Sequence, residues 1–351
     1  MPELKSKKIL FYILSLAICS VFFVSTFYST TNKLTPPSKA IEIPIAQNSS
    51  QSVSKENYTF DPNWKQRNYA PPPPETLVAI MSNVITKKNK SFRLKLKSDV
   101  QEKKVLLTAV VNSGMIDYTL NWIESLRLTK QDDKFLVFAI DQGVVDELTL
   151  KGYGKQVTLI PNDWFHVPLA SDMALWRSND YRPITHAKSL VVERLLYLDI
   201  TVWFTDVDIV FLSPFIRETM LAQMAQRPNT HMIFSQEVDH RSVNSGFYLM
   251  KPSKITKQFM DQIIREQDIT ETLTQQRVMN NVLKKMFPTD ITLSPYRLLD
   301  MLLFPNGNYY FKLNLPKKLG IKPMIVHANF LIGDKKKIAL IKAGLWYNNS
   351  S

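Results

Sequence analysis

Residues 202–212 read VWFTDVDIVFL, an apolar run of β-branched and aromatic residues broken by two aspartates, Asp206 and Asp208. Val202–Thr205 predicts a buried strand with both carboxylates at its carboxyl end. Residues i and i+2 of an extended chain project to the same side. Two carboxylates side by side repel each other and are costly to desolvate unless a cation lies between them. Oxygen ligands of this type suit Mn²⁺ or Mg²⁺, either of which can bridge two phosphates. A polar turn closing a buried strand is the competing reading of this pattern.

Outward from this stretch the chain alternates strands and helices. Val105–Val111 (VLLTAVV), Phe135–Ile140 (FLVFAI) and Val157–Ile160 are short apolar runs that predict strands. Asp117–Leu128 places Leu120, Ile123 and Leu126 at helical spacing, and His186–Leu198 reads as a second helix. Met232–Phe234, Phe247–Met250 and Met324–Val326 are later strand candidates. This alternation argues for an α/β sandwich on a mainly parallel sheet, in which ligands bind beyond the carboxyl ends of strands.

The N-terminus reads differently. Lys5, Lys7 and Lys8 precede an uncharged run from Ile9 to Tyr28. As a helix this run spans roughly 30 Å, the thickness of a bilayer core. The lysines favour a cytosolic tail over residues 1–8 and a signal-anchor over 9–28. A cleaved signal peptide, with an apolar region of about 7–15 residues, is the alternative. Residues 29–102 read as a stem, with prolines at 36, 37, 62 and 71–74 and too little apolar surface to offset its ordering entropy. The folded domain is expected over 103–347, with a short tail at 348–351.

The single cysteine, Cys19, lies inside the apolar run, so the remaining chain has no disulfide; a domain of this size can rely on its core instead. Asn-x-Ser/Thr acceptors at Asn48, Asn57, Asn89, Asn348 and Asn349 flank the domain, which suits a glycosylated lumenal protein. The formal charge of +13 comes from scattered residues rather than a basic stripe. It argues against a nucleic-acid partner and for a surface that attracts anionic substrates.

The stretch KSLVVERLLYLDITVWFTDVDIVFLSPF from Lys188 resembles the core of the nucleotide-diphospho-sugar transferase family, Golgi type II retaining glycosyltransferases with a GT-A fold. Further segments match in order: LTAVVNSGMIDYTLNWIESLR (Leu107–Arg127), VNSGFYLMKPS (Val243–Ser253), LLFPNGNYYF (Leu302–Phe311) and VHANFLIGDKKKIALIKAGLW (Val326–Trp346). The resemblance implies a Rossmann-related α/β/α sandwich with a mainly parallel mixed sheet, behind one transmembrane helix. It implies a UDP-sugar donor of the galactose, xylose or arabinose class, a glycan or glycoprotein acceptor, and Golgi localisation. Homodimerisation is left open.

The resemblance also implies roles. Asp208 would be the principal metal ligand, Asp206 would touch the ribose or the metal, and His327 would be the third ligand. Gly333 and Lys337 would approach the diphosphate, with Lys335 and Lys336 equally able cations and Lys337 chosen by register alone. Ala109 and Asn112 would cradle uracil and ribose, and Lys188 would face the donor. Asn244, Ser245 and Gly246 would line the sugar, with Glu237 and Asp239 nearest to an oxocarbenium-like transition state. Where the family shows Asp-Gln followed by Asn, this chain has Gln275, Gln276 and Asn280, and Gln275 cannot act as a base. Two rivals stand beside this reading. One is a non-catalytic domain on the same scaffold; the other is a haloacid dehalogenase-type phosphatase, whose Asp-x-Asp would open the domain rather than sit in its middle.

Overall fold

The computed structural model describes residues 105–133, 135–160, 171, 181–238, 241–270, 272–287 and 293–348. The tail, anchor and stem expected over 1–102 lie outside them, as do Asn48, Asn57, Asn89, Asn349 and Asp239. Among the described residues no helix is long and apolar enough to cross a membrane.

The strands are β1 (Val105–Val111), β2 (Phe135–Ala139), β3 (Val157–Leu159), β4 (Thr201–Thr205), β5 (Ile209–Phe211), β6 (Met232–Gln236), β7 (Val243–Met250), β8 (Tyr296–Leu298) and β9 (Ile325–His327). Seven of them form one sheet in the order β3-β2-β1-β4-β7-β6-β8. Strands β3, β2, β1 and β4 are mutually parallel, β7 runs against both β4 and β6, and β8 is parallel to β6. The fold is therefore an α/β architecture with a mixed, mostly parallel sheet. Strands β1, β2 and β4 are almost wholly apolar because both faces are covered, whereas β7 (VNSGFYLM) is apolar only over its second half.

Side-chain parity sorts the core into two layers. Leu106, Val110, Val202, Phe204, Tyr248 and Met250 pack on one face. That face is covered by α3 (Tyr181–Tyr197), α5 (Lys254–Ile269) and α6 (Gln275–Met286). Leu107, Ala109, Val111, Trp203, Phe247 and Leu249 pack on the other, beneath α1 (Ile116–Leu128), α2 (Gln142–Leu150) and α4 (Ile216–Ala225). Phe204 stacks on Tyr248 with ring centroids 5.1 Å apart, and Trp203 meets Phe211 at 5.6 Å. Fully buried aromatics of this size hold about 3–5 kcal/mol each against truncation to alanine.

Local differences from the expectation have physical causes. Helix α1 starts after a 3₁₀ turn over Ser113–Met115, one residue before the Asp117 start that the spacing suggests, so Asp117 lies inside its first turn. Helix α3 begins five residues earlier than its apolar spacing suggests, with Pro183 in its first turn, where a missing N–H costs nothing. The run 202–212 is not one strand. The chain leaves the main sheet after Thr205, turns through Val207 and Asp208, and continues as β5 in a separate ribbon with β9. A short α7 (Leu315–Lys318) and α8 (Asp334–Lys342) flank β9.

Candidate active site

The break between β4 and β5 is where the functional side chains gather. The Asp206 N–H donates to the Gly246 carbonyl at 2.7 Å, tying the end of β4 to β7. On the other side of the turn, the β5–β9 register sets Ile209 opposite His327, and the Ala328 N–H donates to the Asp208 carbonyl at 2.9 Å. That register is driven by burial of Ile209, Val210, Phe211, Ile325 and Val326. Apolar packing thus places an imidazole beside a carboxylate: His327 Nε2 is 3.2 Å from Asp208 Oδ1.

Two lysines complete the cluster. Lys336, in the first turn of α8, sets its Nζ 2.6 Å from Asp208 Oδ2, and Lys188 of α3 reaches Asp206 Oδ1 at 2.6 Å. Burial alone would raise the Asp208 pKa. The Lys336 ammonium and then His327 outweigh it and hold that carboxyl well below the usual carboxylate range. Asp208 is therefore ionised at any physiological pH.

One ligand atom from each of Asp206, Asp208 and His327 lies within 4.8 Å of the others. Two carboxylates and an imidazole form a donor set that fits Mn²⁺ or Mg²⁺. The backbone makes room for it through Gly246. A Cβ there would stand 2.5 Å from Asp206 Oδ2 and 2.7 Å from His327 Cε1, closer than side chains tolerate.

A second arm, built from amides, borders this cluster along β7. Asn244 Oδ1 accepts from the Gly246 N–H at 2.8 Å, and its Nδ2 donates to Glu237 Oε1 at 2.6 Å. Gln276 Nε2 donates to the same oxygen at 3.1 Å, while its Oε1 accepts from the Ser245 N–H at 3.1 Å. Asn280 pairs with both backbone groups of Val243, at 2.8 and 2.9 Å. Helix α6 is stitched to β7 by these side chains, and Glu237 is held by neutral donors.

The expected residues thus divide. Asp206, Asp208, His327 and Lys188 come together, with Gly246, Asn244, Ser245 and Glu237 adjoining. Gln275 is buried and donates to Ser189 Oγ at 3.3 Å, so the departure from the family pattern lies between α6 and α3, and Gln276 is the residue that reaches Glu237. Ala109 is a fully buried core residue in register with Val137. Asn112 is buried where β1 passes into the turn over Ser113–Met115.

Gly333 adopts φ +56° immediately before α8. Lys337 lies away from the cluster, 2.8 Å from Asp117 and with its Nζ 4.9 Å from the Trp346 ring centroid. The sequence reading placed Lys337 where the structure has Lys336. Lys336 was one of two equally able neighbours of Lys337 in the sequence and Gln276 carried no role there, although each has a helical-phase signal.

Residues 130–341 match the family model for nucleotide-diphospho-sugar transferase. Over 187 residues the chain is 33% identical to a UDP-galactose:fucoside alpha-3-galactosyltransferase of Dictyostelium discoideum, covering 48% of this chain and 28% of that protein. It thus spans less than a third of that relative's length. Over 265 residues it is 26% identical to UDP-D-xylose:L-fucose alpha-1,3-D-xylosyltransferase 1 of Arabidopsis thaliana, covering 69% of this chain and 70% of that protein. Among solved structures, the galactosyltransferase LgtC with donor and acceptor sugar analogues matches at a TM-score of 0.40 and 11% identity, over 63% of this chain and 86% of that one. The bifunctional glycosyltransferase WbbM matches at 0.45 and 11%, over 72% and 53%.

Proposed function

The chain belongs to the nucleotide-diphospho-sugar transferase family, and from that premise we propose that it is a retaining glycosyltransferase taking a hexose or pentose of the galactose, xylose or arabinose class from a UDP-sugar. The acceptor class we infer is a terminal fucose on a glycan or glycoprotein. The two relatives have different donors in their names, galactose and xylose, but both name a fucose acceptor. The observation that carries the reading is the convergence of Asp206, Asp208 and His327 within 4.8 Å, with Lys336 on the same carboxylate.

In this reading those three residues hold Mn²⁺ or Mg²⁺, which supplies positive charge to the diphosphate. Lys336 and Lys188 add cationic charge from the protein itself, aimed where the leaving UDP becomes more negative. Asn244, Ser245 and Gly246 line the sugar, and the Glu237 carboxylate offsets positive charge developing at its anomeric carbon. The bond from that carbon to the UDP oxygen breaks, the bond to the acceptor oxygen forms on the same face, and the acceptor proton passes to the departing phosphate oxygen. The lysines before the apolar run of residues 9–28 support a single-pass type II protein with this domain in the Golgi lumen.

The test is a panel of UDP-sugars offered with α-L-fucosides, with and without Mn²⁺. One donor should turn over, chelation should abolish it and Mn²⁺ should restore it. Mn²⁺ with UDP at about a hundred times Kd should add about 2.7 kcal/mol of stability, a rise of several degrees in Tm. A folded protein indifferent to chelators and nucleotide diphosphates would remove this reading.

A further inference from the structure

Residues 328–333 (ANFLIG) join two groups that touch one carboxylate: His327 at their start and, three positions beyond their end, Lys336. A segment whose flanks converge on Asp208 begins and ends at the site. Phe330, three residues from His327, has its Cα within about 11 Å of the histidine's by chain length alone.

The segment is pinned. Ala328 donates to the Asp208 carbonyl at 2.9 Å, and Asn329 Oδ1 accepts from the Gly307 N–H at 2.7 Å. Gly307 approaches so closely that a Cβ there would sit 1.9 Å from the Asn329 carbonyl oxygen. Phe330 then takes φ +62°, a left-handed conformation disfavoured for a bulky side chain and commonest where function retains it. Its side chain gains no compensating burial. Phe330 is 53% exposed, and Ile332, two residues on, is 60% exposed.

Neither the diphosphate nor the hydroxyls of a donor sugar match such a surface; the lysines and the amide arm do. The apolar groups left are the uracil ring and the acceptor, and a wall pairing an aromatic ring with a branched aliphatic side chain suits a methyl-bearing sugar edge better than a flat base. A fucoside differs from most sugars in carrying a methyl group at C6, which gives one edge of the ring an apolar character. We infer that Phe330, with Ile332, forms the apolar wall that recognises the C6 methyl of a terminal 6-deoxy sugar acceptor. This inference rests on the fucoside reading above and adds the residues that enforce it.

The full-length chain is assayed with an α-L-fucoside and with the matching α-L-galactoside, which differs only by a hydroxyl on C6. The unaltered protein should favour the fucoside in kcat/KM by about tenfold or more, the range a hydrophobic pocket achieves for one small group. Phe330→Gly, in which glycine accepts the positive φ and spares the loop's path, should raise KM for the fucoside and cut the preference below about threefold. Ile332→Ser should shift it the same way by a smaller factor. Melting temperatures verify folding, and if Phe330→Gly fails to fold, Ile332→Ser decides. A full preference retained in folded variants overturns this proposal alone, as does equal use of both acceptors by the unaltered protein. Transfer to other sugars but to neither of these removes the fucoside reading and this inference together.

Discussion

Asp208 and Glu237 are two carboxylates of the candidate site, and they are held in opposite ways. Asp208 is buried between an imidazole and an ammonium, so its charge is already matched by the Lys336 cation. Glu237 accepts from two neutral amides, Asn244 and Gln276, which orient its charge without cancelling it. The first arrangement suits ionic partners that exchange, such as a divalent cation and a diphosphate. The second leaves a fixed negative charge facing the position assigned to the sugar. Cations and anionic leaving groups belong at one corner, and a carbon gaining positive charge belongs at the other.

Breaking the cationic corner should have the largest effect. Asp208→Asn keeps volume but removes charge, and should lower turnover by about 10³-fold or more and abolish the Mn²⁺-induced rise in Tm. Retained turnover would take Asp208 out of the mechanism. Lys336→Ala should cost roughly 10²-fold in kcat, the value of one well-aimed donor to a developing oxyanion, read by single-turnover kinetics.

At the other corner, Glu237→Gln retains an oxygen able to accept from both amides but loses the charge, and should lower kcat about tenfold with the donor KM nearly unchanged. A large KM effect would instead assign Glu237 to ground-state binding. The smallest effect sharpens the contrast between neighbours. Lys337→Ala removes an exposed ion pair with Asp117, worth roughly 0–1 kcal/mol, and should leave turnover within about twofold. If Lys337→Ala is as damaging as Lys336→Ala, the helix phase assigned to α8 is untenable.

That phase shows what the sequence could and could not reveal. Lys335, Lys336 and Lys337 are equivalent in composition, but Leu340 is fully buried while Ile341 is exposed. Residues four apart share a helix face, so Lys336 is directed inward with Leu340 and Lys337 outward with Ile341. The same logic separates Gln276, which shares a stripe with Asn280 toward β7, from Gln275, which is buried against α3. Both distinctions were available from periodicity once the helix starts were known, and the starts depend on the cap at Thr274 and the turn at Gly333.

The strands β1, β2, β4 and β7 were legible because a strand covered on both faces needs an apolar run. The end of β4 at Thr205 was legible too, but not the move of Ile209–Phe211 into a second sheet, which only the partner, β9, reveals. Ala109 is the converse case. Its place between Leu107 and Val111, on the Trp122 side of β1, puts it in the core by strand parity.

The β5–β9 ribbon has a further consequence for how the chain matures. Lys336 and Asp208 meet across 128 positions of sequence, and His327 arrives on the last strand of the described domain. As the polypeptide emerges during synthesis, Lys188 is already there for Asp206, but Asp208 appears long before Lys336. The main sheet can assemble first, while Asp208 stays without its side-chain partners until Ile325–His327 zips onto Ile209–Phe211 and Lys336 follows. Any shortened product that stops before that strand keeps most of the scaffold and none of the assembled cation cradle.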